Sequence, residues 1–331
     1  MISTRITEMF EVETPLCMGG MTGVGDAELV AAVANAGALG FITAHMYPDG
    51  DALLSAIAKA RTLTNRPFGV NLTLLPSVNP VPYDDYREAI IQSGIKVVET
   101  AGRAPMDHLP RLKASGVRII HKCTSIRHAL SAVKAGVDVI SIDGFECAGH
   151  PGEDDVGLMV LLPAAVDALP GTPIIASGGI ADGRGLAAAL ALGAQGANMG
   201  TRFCATREAR IHSNVKQKIV ENTELDTVIV GRNLGNTTRY ARNTVSMQVA
   251  AIQRDPTTTF SDVKELMSGK RGREAVLRDG YMEAGIWTAG QSQALIHDIT
   301  TCAEVVQRIV SEAERVLRRL NSGLVPTLPS R

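Results

Sequence analysis

The chain has 331 residues, 45% hydrophobic and only 4% aromatic, with a formal net charge of −1 and a pI near 6.7. That balance gives no field for nucleic acid or an anionic membrane, and so few rings make no aromatic stacking box for a cofactor. The length suits one barrel-sized α/β unit with a modest appendage.

Cys17, Cys123, Cys147, Cys204 and Cys302 stand far apart with no CxxC pair, which argues against zinc and disulfides and for a reducing compartment. MISTRITEMF at the N-terminus has no apolar signal core. Residues 186–199 are too short a run, and too rich in Gly and Ala, to span a bilayer. A soluble, cytoplasmic protein is expected, with oligomeric state open and a homodimer among the options.

In chain order, short apolar runs read as strands at 15–19, 39–42, 67–71, 96–100, 117–123, 137–143, 173–177 and 196–199. Amphipathic segments between them read as helices at 26–36, 50–63, 83–93, 107–115, 125–135, 163–169 and 183–192. Eight strands in this rhythm predict a (β/α)8 TIM barrel. A dinucleotide fold would carry GxGxxG straight after the first strand, whereas residues 19–25 read GGMTGVG and the usual later acid is missing. From about residue 211 to 290 the chain turns polar and helical with few strand signals, read as a helical substrate domain over the barrel mouth. The barrel then comprises 1–210 plus 291–331, with a return through AGIWTAGQ (284–291), a closing helix at 303–320 and a frayed tail at 325–331.

Barrel chemistry sits in the loops at the strands' C-terminal ends, and the unusual segments fall there. They are Gly19-Gly20-Met21-Thr22, Asn71-Leu72-Thr73, Lys122, Asp143 with its loop, Ser177-Gly178-Gly179-Ile180 and Gly200-Thr201-Arg202. Paired small residues let backbone N–H groups approach an anion, so Ser177, Gly178, Gly179, Gly200 and Thr201 read as a phosphate cradle. The plainer alternative is a tight turn into the helix at Gly183. Lys122, if it points inward, needs a negative partner; a flavin's pyrimidine edge or Asp143 would serve, and His121 would then face the helices.

His150, between Gly149 and Pro151 in the loop after Asp143, titrates near neutrality and is the favoured base or anion-positioning group. Its alternative role is a loop hydrogen bond to Glu153 or Asp154. His45 could line the mouth, while His108, His128, His212 and His297 sit where exposed or satisfied roles are expected. Glu153, Asp154 and Asp155 read as solvated or paired to the cap, since consecutive carboxylates cannot all turn toward one metal. Cys147 is a weak nucleophile candidate, with only His150 nearby as a base.

Together the segments RPFGVNLTLLP (66–76), RIIHKC (118–123), SIDGFECAGHPGEDD (141–155), PIIASGGIADGRG (173–185), GANMGTRF (196–203) and GIWTAGQ resemble the nitronate monooxygenase family, formerly called 2-nitropropane dioxygenases. The resemblance covers nearly the whole chain. It implies FMN without a metal, held against Gly20, Met21, Thr73, Lys122, Asp143, Ala148, Gly149, Ser177, Gly179, Gly200 and Thr201, with His150 catalytic. It further implies oxidation of an alkyl nitronate by flavin with O2 as acceptor, or of a nitroalkane with His150 removing the proton beside the nitro group. GHPGEDD resembles a bacterial branch that includes NADH:quinone reductases, in which Pro76 would suit a gate. The flavin enoyl-acyl carrier protein reductases share the barrel and the phosphate turns. A barrel binding a phosphorylated ligand without redox chemistry is the alternative from another class.

Overall fold

The computed structural model of the chain describes residues 2–74 and 80–323. Eight parallel strands close into a barrel in sequence order, β1 pairing with both β2 and β8. The opening helix α1 (Arg5–Phe10) leads into β1 (Leu16–Met18), α2 (Ala27–Asn35), β2 (Leu39–Thr43), α3 (Gly50–Leu63), β3 (Gly69–Leu74) and α4 (Tyr83–Ser93). Then come β4 (Val97–Gly102), α5 (Leu109–Ala114), β5 (Arg118–Cys123), α6 (Ile126–Ala135), β6 (Val139–Asp143), α7 (Leu158–Ala168), β7 (Ile174–Ser177), α8 (Gly183–Ala191) and β8 (Gly196–Met199). The TIM barrel expected from the sequence is the fold found.

Local chemistry explains the boundaries. Asp26, Asp49, Ser125 and Asp182 each cap the next helix by accepting from the backbone N–H three residues on, worth about 1 kcal/mol apiece. Gly94 and Gly136 end α4 and α6 in the left-handed conformation. Two boundaries differ from expectation. β3 begins at Gly69 rather than 67, because Pro67 has no N–H to give the ladder; a Cβ at Gly69 would also stand 2.7 Å from the Phe41 ring. α7 begins at Leu158 rather than 163. Pro163 lies inside it, and the Glu146 carboxylate, twelve residues upstream, accepts the Leu158 N–H at 3.0 and 3.1 Å where Gly157 offers no capping side chain.

Strand alternation divides the barrel interior into two layers. The lower layer is apolar: Cys17, Leu39, Phe41, Val97, Ile120, Val139 and Ile175, floored by Ile6 and Phe10 of α1. Two residues beyond Val97, Ile120, Val139 and Ile175 stand the polar Glu99, Lys122, Ser141 and Ser177, with Asn71 of β3 and Asn198 of β8 alongside. That polar layer is the base of the mouth.

After β8 the chain forms α9 (Thr201–Cys204), α10 (Ser213–Glu221), β9 (Thr227–Val230), β10 (Thr238–Ala241), α11 (Thr244–Ile252), α12 (Phe260–Val263), α13 (Gly269–Arg271) and a π-helix, Gly272–Arg278. This stretch is less purely helical than expected, since β9 and β10 pair as an antiparallel two-stranded sheet. The β-branched run Thr227-Val228-Ile229-Val230 is its local cause. The closing helix α14 (Cys302–Gly323) packs on α8; Gly183 permits it, since a Cβ there would stand 2.4 Å from the Ile309 carbonyl oxygen. No helix among the described residues is long and apolar enough to cross a membrane. Pro76 and the tail 325–331 lie outside the described residues.

Candidate active site

The base of the mouth is organised by Glu99. It is fully buried (0% exposed), so its carboxylate requires donors. Oε2 accepts from the Gly20 N–H and Asn71 Nδ2, both at 2.7 Å, and Oε1 from Asn198 Nδ2 at 3.0 Å. Thr73 Oγ1 donates to Asn71 Oδ1 at 3.0 Å, extending the network up β3. Gly20 must be small, since a Cβ would fall 2.2 Å from Asn71 Cγ.

Lys122, one residue before the end of β5, points inward, its Nζ 3.5 Å from Asp143 Oδ2 at the end of neighbouring β6. Its alternation partner His121 faces the helix layer, where its Nδ1 lies 2.8 Å from Thr100 Oγ1. Asp143 and Glu99 hold the Lys122 ammonium above its ordinary pKa against the opposing effect of burial. Burial pushes the Asp143 carboxyl up, while Lys122 and Ser177 pull it back. Asp143 Oδ1 is buried with no hydrogen-bond partner among the described residues.

His150 lies in the loop after β6, and the β9–β10 hairpin fixes that loop. Gly149 and Arg239 exchange backbone bonds, N to O at 3.2 Å and 2.6 Å. The Arg239 guanidinium, 3% exposed, donates to the carbonyls of Cys147 (3.1 Å) and Phe145 (2.9 Å) and to Thr227 Oγ1 (2.7 Å), lying 4.6 Å from the Phe145 ring centroid. Arg232 Nη2 donates to both Asp155 carboxylate oxygens at 2.6 and 2.7 Å, and Glu153 accepts from Thr237 N–H and Oγ1. Two of the three loop carboxylates therefore pair with the inserted segment, as expected. His150 Nε2 lies 3.1 Å from Asn236 Oδ1. His150 is exposed as a residue, and desolvation by the surrounding protein lowers its pKa below the usual 6.5 against the raising effects of Asn236 and Glu153.

The small-residue corners stand at the ends of β7 and β8. Gly178 and Gly179 adopt φ of +90° and +73°, conformations that disfavour other residues. Gly200 adjoins Met21, where a Cβ would stand 3.3 Å from the Met21 Sδ. Thr201 Oγ1 accepts from the Gly290 N–H at 3.0 Å, and Gln291 N–H donates to the Glu146 carbonyl at 3.0 Å. The returning segment thus lies across both the His150 loop, close to Ala148, and the β8 corner.

The remaining candidates separate. His45 reaches the rim beside Tyr83, ring nitrogen to hydroxyl 3.4 Å, with its Nδ1 buried and without a hydrogen-bond partner among the described residues. His108 meets Arg87, and His212 Nδ1 accepts from Asn214 N–H. Burial pushes the Cys147 thiol up, which disfavours the nucleophilic thiolate. Sequence reasoning gave no role to Glu99, Asn198, Asn236, Arg239 or Gly290. Glu99 and Asn198 were findable as polar residues at inward positions of apolar strands; Asn236 and Arg239 carry no such signal.

A parallel barrel with an ion pair, a histidine loop and glycine corners at its C-terminal rim has the architecture of a barrel enzyme. The chain belongs to the nitronate monooxygenase family, whose sequence profile matches residues 3–312, and it is an oxidoreductase of that type. It is 32% identical to the (3aS,4S,5R,7aS)-5-hydroxy-7a-methyl-1-oxo-octahydro-1H-indene-4-carboxyl-CoA dehydrogenase of Mycobacterium tuberculosis, over 94% of this chain and 96% of that protein. It is 29% identical to a probable nitronate monooxygenase of Staphylococcus saprophyticus, over 96% and 99%. The solved FabK of Thermotoga maritima superposes with a TM-score of 0.88 at 35% identity, over 98% of this chain and all of that one.

Proposed function

We propose that the chain is an FMN-dependent oxidoreductase in which His150 moves the proton on a substrate carbon acidified by a neighbouring electron-withdrawing group. The observation that carries this reading is the setting of His150. Asn236 Oδ1 stands 3.1 Å from its Nε2, which leaves Nδ1 as the acceptor, and its loop follows directly on Asp143, the partner of Lys122; burial lowers its pKa, which favours the proton-accepting form.

The residues present fit FMN. Asp143 Oδ1 is a buried acceptor without a donor among the described residues, suited to a ring N–H. Lys122 supplies a cation against the negative charge a flavin ring acquires on reduction. Ser177, Gly179, Gly200 and Thr201 would take the phosphate end, and Gly20, Met21, Thr73, Ala148 and Gly149 the remaining walls. Bound there, the flavin supplies two-electron redox chemistry that no side chain of this chain offers. The protein's own part is to orient the substrate carbon, accept its proton at His150 Nδ1 and shield the site with the hairpin and residues 289–291.

Nitronates and nitroalkanes are the first substrate class, supported by the family and by the Staphylococcus relative, with O2 as acceptor. An acyl-CoA thioester is the second, favoured by the Mycobacterium relative; its α-carbon is acidified by the thioester carbonyl just as a nitroalkane carbon is by the nitro group. Anaerobic mixing of the FMN-loaded protein with ethyl nitronate, nitroethane, an acyl-CoA and NADH tests the proposal. Bleaching by a carbon substrate is expected. His150→Asn should spare bleaching by the nitronate, which has already lost its proton, and abolish it with nitroethane or acyl-CoA. Bleaching by NADH alone would sink the proposal in favour of an NADH:quinone reductase.

A further inference from the structure

A pocket of about 320 Å³ lies away from the Lys122–Asp143 pair, between the loop after β1 and the π-helix, lined by Gly23, Arg210, Ile211, His212, Arg273, Leu277 and Arg278. Four of these seven side chains are basic and none is a carboxylate. Ile211, Leu277 and Gly23 add an apolar wall. The two elements are in contact: Gly23 has φ +87°, and a Cβ on it would stand 3.0 Å from Leu277 Cδ1 and 3.2 Å from Arg273 Cδ. His212 N–H donates to the Leu277 carbonyl at 2.7 Å, tying the start of α10 to the same wall.

The donors are set up for an anion. His212 Nδ1 accepts from Asn214 N–H at 3.1 Å, so its Nε2 carries the hydrogen. Arg210 pairs with Glu28 at 2.6 Å and Arg278 with Asp279 at 2.7 Å. The Arg273 side chain has no hydrogen bond or ion pair among the described residues and is exposed. In a π-helix bonds close from i to i+5, which puts Arg273 and Arg278 on one face with Leu277. Planar guanidinium forks match phosphate oxygens.

The pocket and the mouth share the loop after β1. Gly23 follows Gly20, which donates to Glu99, by three residues. The Arg273 charge is felt at His45, at the end of β2, where it lowers the imidazole pKa after burial has done so.

We propose that this pocket binds the 3′-phosphoadenosine end of a CoA-thioester substrate, with the acyl end reaching His150. The proposal rests on the thioester reading of the function. Isothermal titration of the full FMN-loaded chain with CoA, 3′,5′-ADP, dephospho-CoA, 2′,5′-ADP and inorganic phosphate tests it. CoA and 3′,5′-ADP should bind, dephospho-CoA more weakly. Arg273→Glu should weaken CoA and 3′,5′-ADP by about tenfold or more, with Arg273→Gln intermediate, as loss of a charge-assisted phosphate contact requires. Flavin content, read in the same samples, reports that the fold is intact. Equal CoA affinity in wild type and both variants would overturn the assignment, as would 2′,5′-ADP binding at least as tightly as 3′,5′-ADP. The two ideas fail separately. Acyl-CoA bleaching the flavin with affinity untouched by Arg273→Glu removes only the pocket. Charge-dependent 3′,5′-ADP binding without bleaching by any thioester removes only the thioester reading.

Discussion

His150 Nε2 sits 3.1 Å from Asn236 Oδ1, a contact that spans 86 residues of sequence. An amide oxygen only accepts, so Nε2 must carry the hydrogen and Nδ1 holds the lone pair that takes a proton. Asn236→Asp would place a carboxylate against that N–H and favour the imidazolium. The acid limb of the pH–rate profile with nitroethane or acyl-CoA, where protonation removes the His150 base, should move upward by about one pH unit. Profiles that superimpose would show that Asn236 does not tune the base.

Lys122→Met removes the cation 3.5 Å from Asp143. The Asp143 carboxyl, already pushed up by burial, would then have lost its main counter-charge. Flavin affinity should fall by at least about tenfold, roughly 1.4 kcal/mol, measured by quenching of FMN fluorescence. Unchanged affinity would exclude Lys122 from the flavin site.

Glu99→Gln keeps the shape of the buried side chain but swaps an acceptor for a donor. Three N–H groups, on Gly20, Asn71 and Asn198, converge on the two carboxylate oxygens, and at least one would lose its partner. A destabilisation of about 1–3 kcal/mol follows, measurable as a lower urea midpoint. A variant as stable as the wild type would show that the network is not stabilising.

His121 makes stability depend on pH. It is 2% exposed, and burial first, then the His128 charge, lowers its pKa from 6.5 to about 4. Between those values the unfolded chain holds a proton that the folded one does not. The contribution is therefore complete above pH 6.5 and drains away as pH falls toward 4, amounting to about 3 kcal/mol. Urea denaturation of wild type and His121→Gln across that window should show a flatter pH slope in the variant. Parallel slopes would refute the assignment.

Much of the barrel was legible because its signals are local. Alternation fixed the inward side of β5, so Lys122 and His121 fall on the faces expected of them, and Gly94 and Gly136 mark helix ends by φ alone. What escaped depends on distant partners. The start of α7 is set by Glu146. The β9–β10 sheet carried a signal in its β-branched run, outweighed by the polar, helical character around it. Glu99 could have been flagged as a carboxylate inside an apolar strand, but its role needs Asn71 and Asn198 from other strands. Nothing in the GNTT turn says that Asn236 will meet a histidine.

The Gly149–Arg239 bridge stitches the histidine loop into an insertion that enters the chain far downstream of it. Lifting that insertion off the rim would break this bridge and disturb the base, and transplanting the insertion from a relative would transplant the aim of the imidazole too.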